Sequence, residues 1–262
     1  MSTLKSAPKK LTRTRRRSKM DKILAGEVPR KQKNIRTTRD PGAAPQRKAK
    51  DIVVITPRKK KPGKTPYIIR DEYFYEAKKL GYRARSAFKL LEIQEKYNVI
   101  RPGMQVLDIA SAPGSWLQVL AKTVGPTGIV AGVDIQKIAG LGYPNVHLFQ
   151  GDVFVTEPIV EFLKWLGIVQ VDCVTSDIAA HTTGQTGVDQ YRSVELNLAI
   201  LDIAHIFLKK WGTLILKVFV WEDVNDLIGP IKNQYTILHR CKPKACRERS
   251  FEEYFVCQGK KE

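Results

Sequence analysis

The stretch V-L-D-I-A-S-A-P-G-S-W-L-Q-V-L-A-K, Val106 to Lys122, starts as a buried strand, breaks at Pro113 and Gly114, and resumes as an apolar helical pattern. A strand that enters a helix through a glycine turn presents the free N–H groups of the helix start at the edge of a sheet, where α/β proteins bind ligands. The dinucleotide fingerprint requires three glycines, and this turn offers only Gly114. Gly63-Lys64-Thr65 resembles the end of a phosphate loop, but Arg58 occupies the first glycine position and no buried strand precedes it. The ligand of the opening turn is therefore expected to be held by something other than phosphates.

Working outward, Asp71 caps a helix through about Leu80 that Gly81 ends, and a second helix spans Ala84 to about Tyr97. Gln105 to Ile109 is the first strand and Ser115 to Val124 the helix after it, returned by Gly125, Pro126 and Gly128. Strands follow at Ile129 to Val133, ending in Asp134, at Val146 to Phe149, near Asp152, and at Val171 to Thr175, running into Ser176-Asp177. Thr156 is expected to cap a helix closing at Gly167. Asp189 to Lys210, apolar at Val194, Leu198, Leu201, Ala204 and Leu208, reads as a long core helix stopped by Gly212. Thr213 to Val220 is a central strand, apolar except for Lys217. Asp223 to about Asn233 is helical, and Tyr235 to His239 and Tyr254 to Cys257 are closing strands. Such alternation implies an α/β fold with a mostly parallel twisted sheet and helices on both faces.

The chain has 262 residues and a formal charge of +19. Residues 1–66 hold 22 Lys and Arg against 4 Asp and Glu, so the basicity belongs almost wholly to them. With few aromatics and no apolar period, this segment reads as a basic tail, disordered until it contacts RNA phosphates, ahead of a folded domain at 67–262. No signal-peptide core or long apolar run occurs, so a soluble cytoplasmic protein without a membrane partner is expected; an organellar protein is the alternative if the tail is a targeting segment. Cys173, Cys241, Cys246 and Cys257 lack paired metal-ligand spacing, even with His239, so reduced structural cysteines and no metal are expected.

The chemistry of such sheets sits at the carboxyl ends of the strands. Asp108, Asp134, Asp152 and Asp177 stand at or near four successive strand ends. Singly each reads as a cap or turn former; together their carboxylates converge on one edge. S-adenosylmethionine fits this set: its ribose falls to Asp134, its adenine to the Asp152 turn, and its methionine end lies over Ala112-Pro113-Gly114. Gly114 would let the backbone approach the ligand, and Trp116 would either wall the pocket or fill the core. Lys217, within L-I-L-K-V-F-V, is flanked by apolar residues on both sides, which argues against an edge-strand lysine and for a functional one.

These motifs, together with R-A-R-S-A-F-K-L-L-E-I, T-S-D-I-A and R-S-F-E-E-Y-F-V, resemble the FtsJ (RrmJ) family of ribosomal RNA 2′-O-ribose methyltransferases over about Asp71 to Lys260. The resemblance implies a Rossmann-like class I methyltransferase fold and a catalytic Lys-Asp-Lys-Glu set at Lys89, Asp177, Lys217 and Glu252. It implies cofactor contacts at Gly114, Trp116, Asp134, Asp152 and Asp177, to which the strand-end reading adds Asp108 and Pro113. Arg83, Arg85, Lys242, Lys244, Arg247 and Arg249, adjacent in sequence to Lys89 and Glu252, are expected to contact RNA phosphates.

The implied substrate is a uridine ribose in RNA of the large ribosomal subunit, methylated by a monomer. The alternatives are a tRNA or cap 2′-O-methyltransferase and a non-catalytic, RNA-binding ribosome-assembly factor. A small-molecule methyltransferase is disfavoured by the tail and the tetrad. The chain departs from the family at Ser115, where a second glycine is usual, at Ile178-Ala179-Ala180-His181, and at Val220-Trp221.

Overall fold

The computed structural model describes residues 71–179, 186–220, 224–248 and 250–262. The tail at 1–66, Ala180, His181, Trp221, the expected helix start at Asp223 and Arg249 lie outside the described residues.

The elements in chain order are α1 (Glu72–Lys79), α2 (Ala87–Tyr97), β1 (Gln105–Ile109), α3 (Ser115–Val124), β2 (Ile129–Asp134), β3 (Val146–Gln150), α4 (Thr156–Trp165), β4 (Val171–Ser176), α5 (Thr186–Phe207), β5 (Leu208–Phe219), α6 (Asn225–Gln234), β6 (Tyr235–Cys241) and β7 (Glu252–Lys260). The strands form one seven-stranded sheet in the order β3-β2-β1-β4-β5-β7-β6. β1 to β5 run parallel, and β7 lies antiparallel between β5 and β6. This is the mostly parallel sheet that the alternation of strands and helices implied. The chain reverses direction across the sheet between β1 and β4, which opens a crevice at their carboxyl ends.

Two apolar layers cover the sheet. Leu90, Ile93, Trp116, Leu117 and Leu120 from α2 and α3 pack on one face with Val106, Val130 and Tyr254. Ile159, Leu163, Ile200, Ala204, Leu227 and Ile231 from α4, α5 and α6 pack on the other with Leu107, Val174 and Leu216. Cys257 belongs to the second layer, whereas Cys241 and Cys246 belong to the first, so the sheet separates them. Among the described residues no group of three or more His, Cys, Asp or Glu is placed to hold a metal ion, and no helix is long and apolar enough to cross a membrane.

Several expected boundaries move, and three of them have a visible cause. The second helix begins at Ala87 rather than Ala84, because Arg83 to Ser86 form tight turns and the Ser86 hydroxyl bonds Ser115 rather than capping. Thr156 is the first residue of α4 rather than its cap; Asp152 turns the chain instead, its Oδ1 accepting from the Phe154 N–H at 3.0 Å. The long helix stops at Phe207, not at a glycine. Buried Lys260 of β7 reaches across to donate to the carbonyls of His205 at 2.6 Å and Leu208 at 2.7 Å, taking oxygens that the helix end leaves free. Gly212 lies inside β5, where the register against β4 jumps from Val171↔Leu208 to Cys173↔Thr213.

Candidate active site

The crevice at the carboxyl ends of β1, β2, β3 and β4 holds a cavity of about 370 Å³. Ala110, Ala112, Asp134, Asp152 and Asp177 line it, with Ile135, Val153 and Phe154. Asp134 ends β2 with both oxygens engaged: Oδ2 accepts from the Ala112 N–H at 2.8 Å and Oδ1 from the Gln136 N–H at 2.7 Å. Its carboxylate thus ties the loop after β1 to the loop after β2, and each oxygen retains a lone pair for a ligand hydroxyl. Ile135 and Phe154 are 65% and 54% exposed, and both line this cavity. They offer apolar surface to an aromatic ligand group, which is not visible from sequence because each looks like an ordinary loop residue.

Asp108 lies behind the cavity on β1, opposite Gly132 and Thr175 in the sheet. It is 1% exposed, with Oδ1 accepting from the Thr175 hydroxyl at 2.6 Å and Oδ2 without any partner. Burial pushes its carboxyl up to about 7, helped by the nearby charges of Asp177 and Asp134 and opposed by hydrogen bonds from Thr175 and Ser111. A small cavity lined by Asp108, Ser111, Ser115, Trp116 and Asp177 adjoins it. An orphaned acid oxygen there suits a cationic ligand group.

Lys217, 6% exposed, sits in β5 between two paired neighbours, so it is not an edge-strand lysine. Its Nζ donates to the Asp177 carbonyl at 2.7 Å and lies 3.1 Å from Asp177 Oδ1. The Tyr254 hydroxyl donates to the same Oδ1 at 2.5 Å. Burial, then the charge of Asp177, raises the Tyr254 hydroxyl far above its ordinary range, so it remains a donor. Tyr254 occupies the other side of β7 from Glu253 and packs its ring 5.7 Å from that of Trp116. From sequence, Tyr254 is placed only at the start of a closing strand.

Lys89 of α2 and Glu252 of β7, each buried, pair at 2.9 Å. Helix α2, strands β5 and β7 and the loop after β4 therefore bring the four expected catalytic residues to one region as two ion pairs. Lys89, Lys217 and Glu252 line a second cleft of about 560 Å³ with Arg85, Phe219 and Arg247. Ala179 lines both this cleft and the cavity beside Asp134. A group held in one is thus presented to a group held in the other across Asp177 and Lys217.

The remaining expected residues divide. Trp116, 3% exposed, is a core residue whose indole N–H donates to the Ser86 carbonyl at 2.9 Å. Ser115, the departure from the family's glycine, shares a 2.7 Å hydrogen bond with the Ser86 hydroxyl and so fastens α3 to the start of α2. Pro113 and Gly114 line none of these cavities; Gly114 has φ of +102°, and a Cβ there would meet Arg83 Nη1 and Leu141 at 3.2 Å.

On the expected RNA side, Arg247 is exposed at the second cleft, while Arg85 also lines it but pairs with Asp71 and with the Ala245 carbonyl. Lys242 Nζ donates to the Ser250 carbonyl at 2.7 Å, and the exposed Lys244 is held through its backbone N–H by Glu92. Arg83 donates to three backbone carbonyls, so most of its donors are not offered outward.

Comparison with known proteins places this geometry in context. Residues 82–260 match the family of FtsJ-like methyltransferases. The chain is 40% identical over 205 residues to the ribosomal RNA large subunit methyltransferase E of Alkalilimnicola ehrlichii, a match covering 77% of this chain and 97% of that protein. It is 43% identical over 192 residues to the enzyme of the same name from Acinetobacter baumannii, covering 73% and 88%. Among solved structures, a ribosomal RNA methyltransferase from Plasmodium falciparum superposes with a TM-score of 0.59 at 28% identity, over 68% of this chain and 98% of its own.

Proposed function

The chain belongs to the FtsJ-like methyltransferase family, and from that premise we propose that it methylates the 2′-hydroxyl of a uridine ribose in RNA of the large ribosomal subunit, using S-adenosylmethionine. The observation that carries this reading is the junction of two cavities at Asp177 and Ala179, with Lys217 between them. The cavity beside Asp134 suits that cofactor: an acid for ribose hydroxyls, two exposed apolar walls for adenine, a partnerless buried acid oxygen for a cationic group, and no cradle for phosphates. When bound, the cofactor supplies a methyl group already activated on a sulfonium.

The protein's own task is alignment and removal of a proton. Lys89, Glu252, Arg85 and Arg247 hold the acceptor nucleotide in the second cleft so that its hydroxyl meets the methyl in line. Lys217 spends two donors on Asp177 and turns a third toward the hydroxyl, stabilising charge as it develops on oxygen. Asp177 receives the proton and passes it to solvent. The working unit is read as a monomer and the site of action as cytoplasmic, or organellar if the segment at 1–66 is a targeting sequence.

Lys217→Ala is expected to lose about 100-fold or more of transfer while binding the cofactor nearly as well as wild type; wild-type transfer by that variant would refute the assignment. To test the substrate, labelled cofactor and protein are incubated separately with large subunits, naked ribosomal RNA and tRNA, and the modified ribose is mapped. Label confined to tRNA overturns the ribosomal reading, and RNA binding without any label supports an assembly factor.

A further inference from the structure

We propose that Arg83 is a positioning residue of the methyl-donor cavity, a clasp between the two loops that shape it, rather than a contact to RNA. This rests on the assignment of the cavity beside Asp134 to the cofactor. Arg83 precedes α2 and is exposed, yet its guanidinium is turned onto the protein. Nη1 donates to the carbonyls of Pro113 at 2.9 Å and Ala139 at 2.7 Å, and Nη2 donates to the carbonyl of Gly140 at 2.6 Å. Three of its five N–H groups are thereby used on backbone oxygens.

The two segments it joins are the ones that carry the cavity wall. Pro113 follows Ala112, whose N–H binds Asp134, and Ala139 and Gly140 follow Asp134, Ile135 and Gln136. Arg83 thus closes a second bridge between the loops that Asp134 bridges from inside. Its own place is fixed as well: its backbone N–H donates to Gln118 Oε1 at 2.8 Å, and Gln118 Nε2 donates to the Gly81 carbonyl at 2.9 Å. Gly114 accommodates the arrangement, since a side chain there would press on Nη1 and Leu141.

A planar fork reaches three carbonyls at once, which a lysine ammonium on a single stem does not reproduce. Because the site is exposed, water can take over these carbonyls when the fork is removed, so the fold tolerates the loss. What changes is how tightly the cavity wall is held before the cofactor arrives.

The experiment uses the full chain, with Arg83→Met and Arg83→Lys compared to wild type. S-adenosylmethionine affinity is measured by calorimetry, stability by urea unfolding, and ribosomal RNA affinity as a function of salt. Arg83→Met is expected to weaken cofactor binding by about 10-fold, with Arg83→Lys between it and wild type. The urea midpoint and the salt slope should stay at their wild-type values, and the KM for cofactor should rise more than kcat falls.

Unchanged cofactor affinity overturns the proposal, as does a parallel loss of stability. A salt slope reduced by about one unit with cofactor binding intact would return Arg83 to the RNA surface. If the wild-type protein itself fails to bind S-adenosylmethionine, the cavity assignment falls first, and that failure is distinguishable from the others.

Discussion

The Tyr254 hydroxyl and Asp177 Oδ1 lie 2.5 Å apart, and the same oxygen faces Lys217 Nζ at 3.1 Å. One carboxylate oxygen therefore fixes both a neutral donor and a cation, one from β7 and one from β5. The adjacent registers Lys217↔Tyr254 and Phe219↔Glu252 explain how two strands bring three tetrad-region side chains together. Tyr254 is fully buried, so its ring is set by core packing and its hydroxyl by Asp177.

Tyr254→Phe keeps that ring and deletes only the donor. A hydrogen bond to a charged group contributes about 1.5–3 kcal/mol, so the variant is expected to fold, to bind cofactor near wild-type affinity, and to transfer methyl about 10- to 100-fold more slowly. Single-turnover transfer to large subunits measures it. A wild-type rate would remove Tyr254 from the machinery, and lost cofactor binding would move it to the donor site.

Asp108 gives a stability prediction in pH. Its carboxyl is raised to about 7 in the fold, so it holds its proton more tightly folded than unfolded. The stability it contributes is complete below the ordinary carboxylate range and is lost as pH rises through about 7. Asp108→Asn keeps an acceptor for Thr175 and removes the charge. Urea unfolding of the cofactor-free proteins at about pH 5 and about pH 8 should show wild type losing about 2–3 kcal/mol more than the variant. Equal losses would mean that Asp108 is ionised in the folded state throughout.

The strands were legible because they carry strong local patterns, uniform apolar runs and turn glycines; Lys217 stood out as a lysine where none is expected and Asp177 as a strand-end acid, whereas Lys89 and Glu252 were marked only by the resemblance to a family. What was not legible depends on distant partners. Nothing near Phe207 announces the end of α5, because the group that takes its last carbonyls is Lys260, more than fifty residues later. Arg83 reads as a surface cation until Pro113, Ala139 and Gly140 are folded against it. Ser115 reads as a defect in a glycine turn until Ser86 is placed beside it.

That account of Lys260 is testable. Lys260→Met fills similar space but donates nothing, leaving the His205 and Leu208 carbonyls without their partner. The variant should lose about 1–3 kcal/mol of stability in urea unfolding while keeping wild-type cofactor affinity. No loss of stability would show that water or the neighbouring backbone serves the helix end equally well.

The basic segment at 1–66 makes a separate, electrostatic prediction. It carries 22 Lys and Arg against 4 Asp and Glu, whereas the remainder of the chain is close to neutral. If its cations neutralise RNA phosphates, each contact releases counterions and adds about 0.7 to 0.9 to the slope of log affinity against log salt. A chain lacking 1–66 should then bind large-subunit RNA more weakly at low salt, with a shallower slope, while its affinity for S-adenosylmethionine stays the same. The two lines should converge as salt rises, because the contribution of the tail is the one that salt screens. Parallel lines with unchanged slope would assign the charge of this segment to something other than RNA, and the folded domain would have to account for binding through Arg85, Arg247 and their neighbours alone.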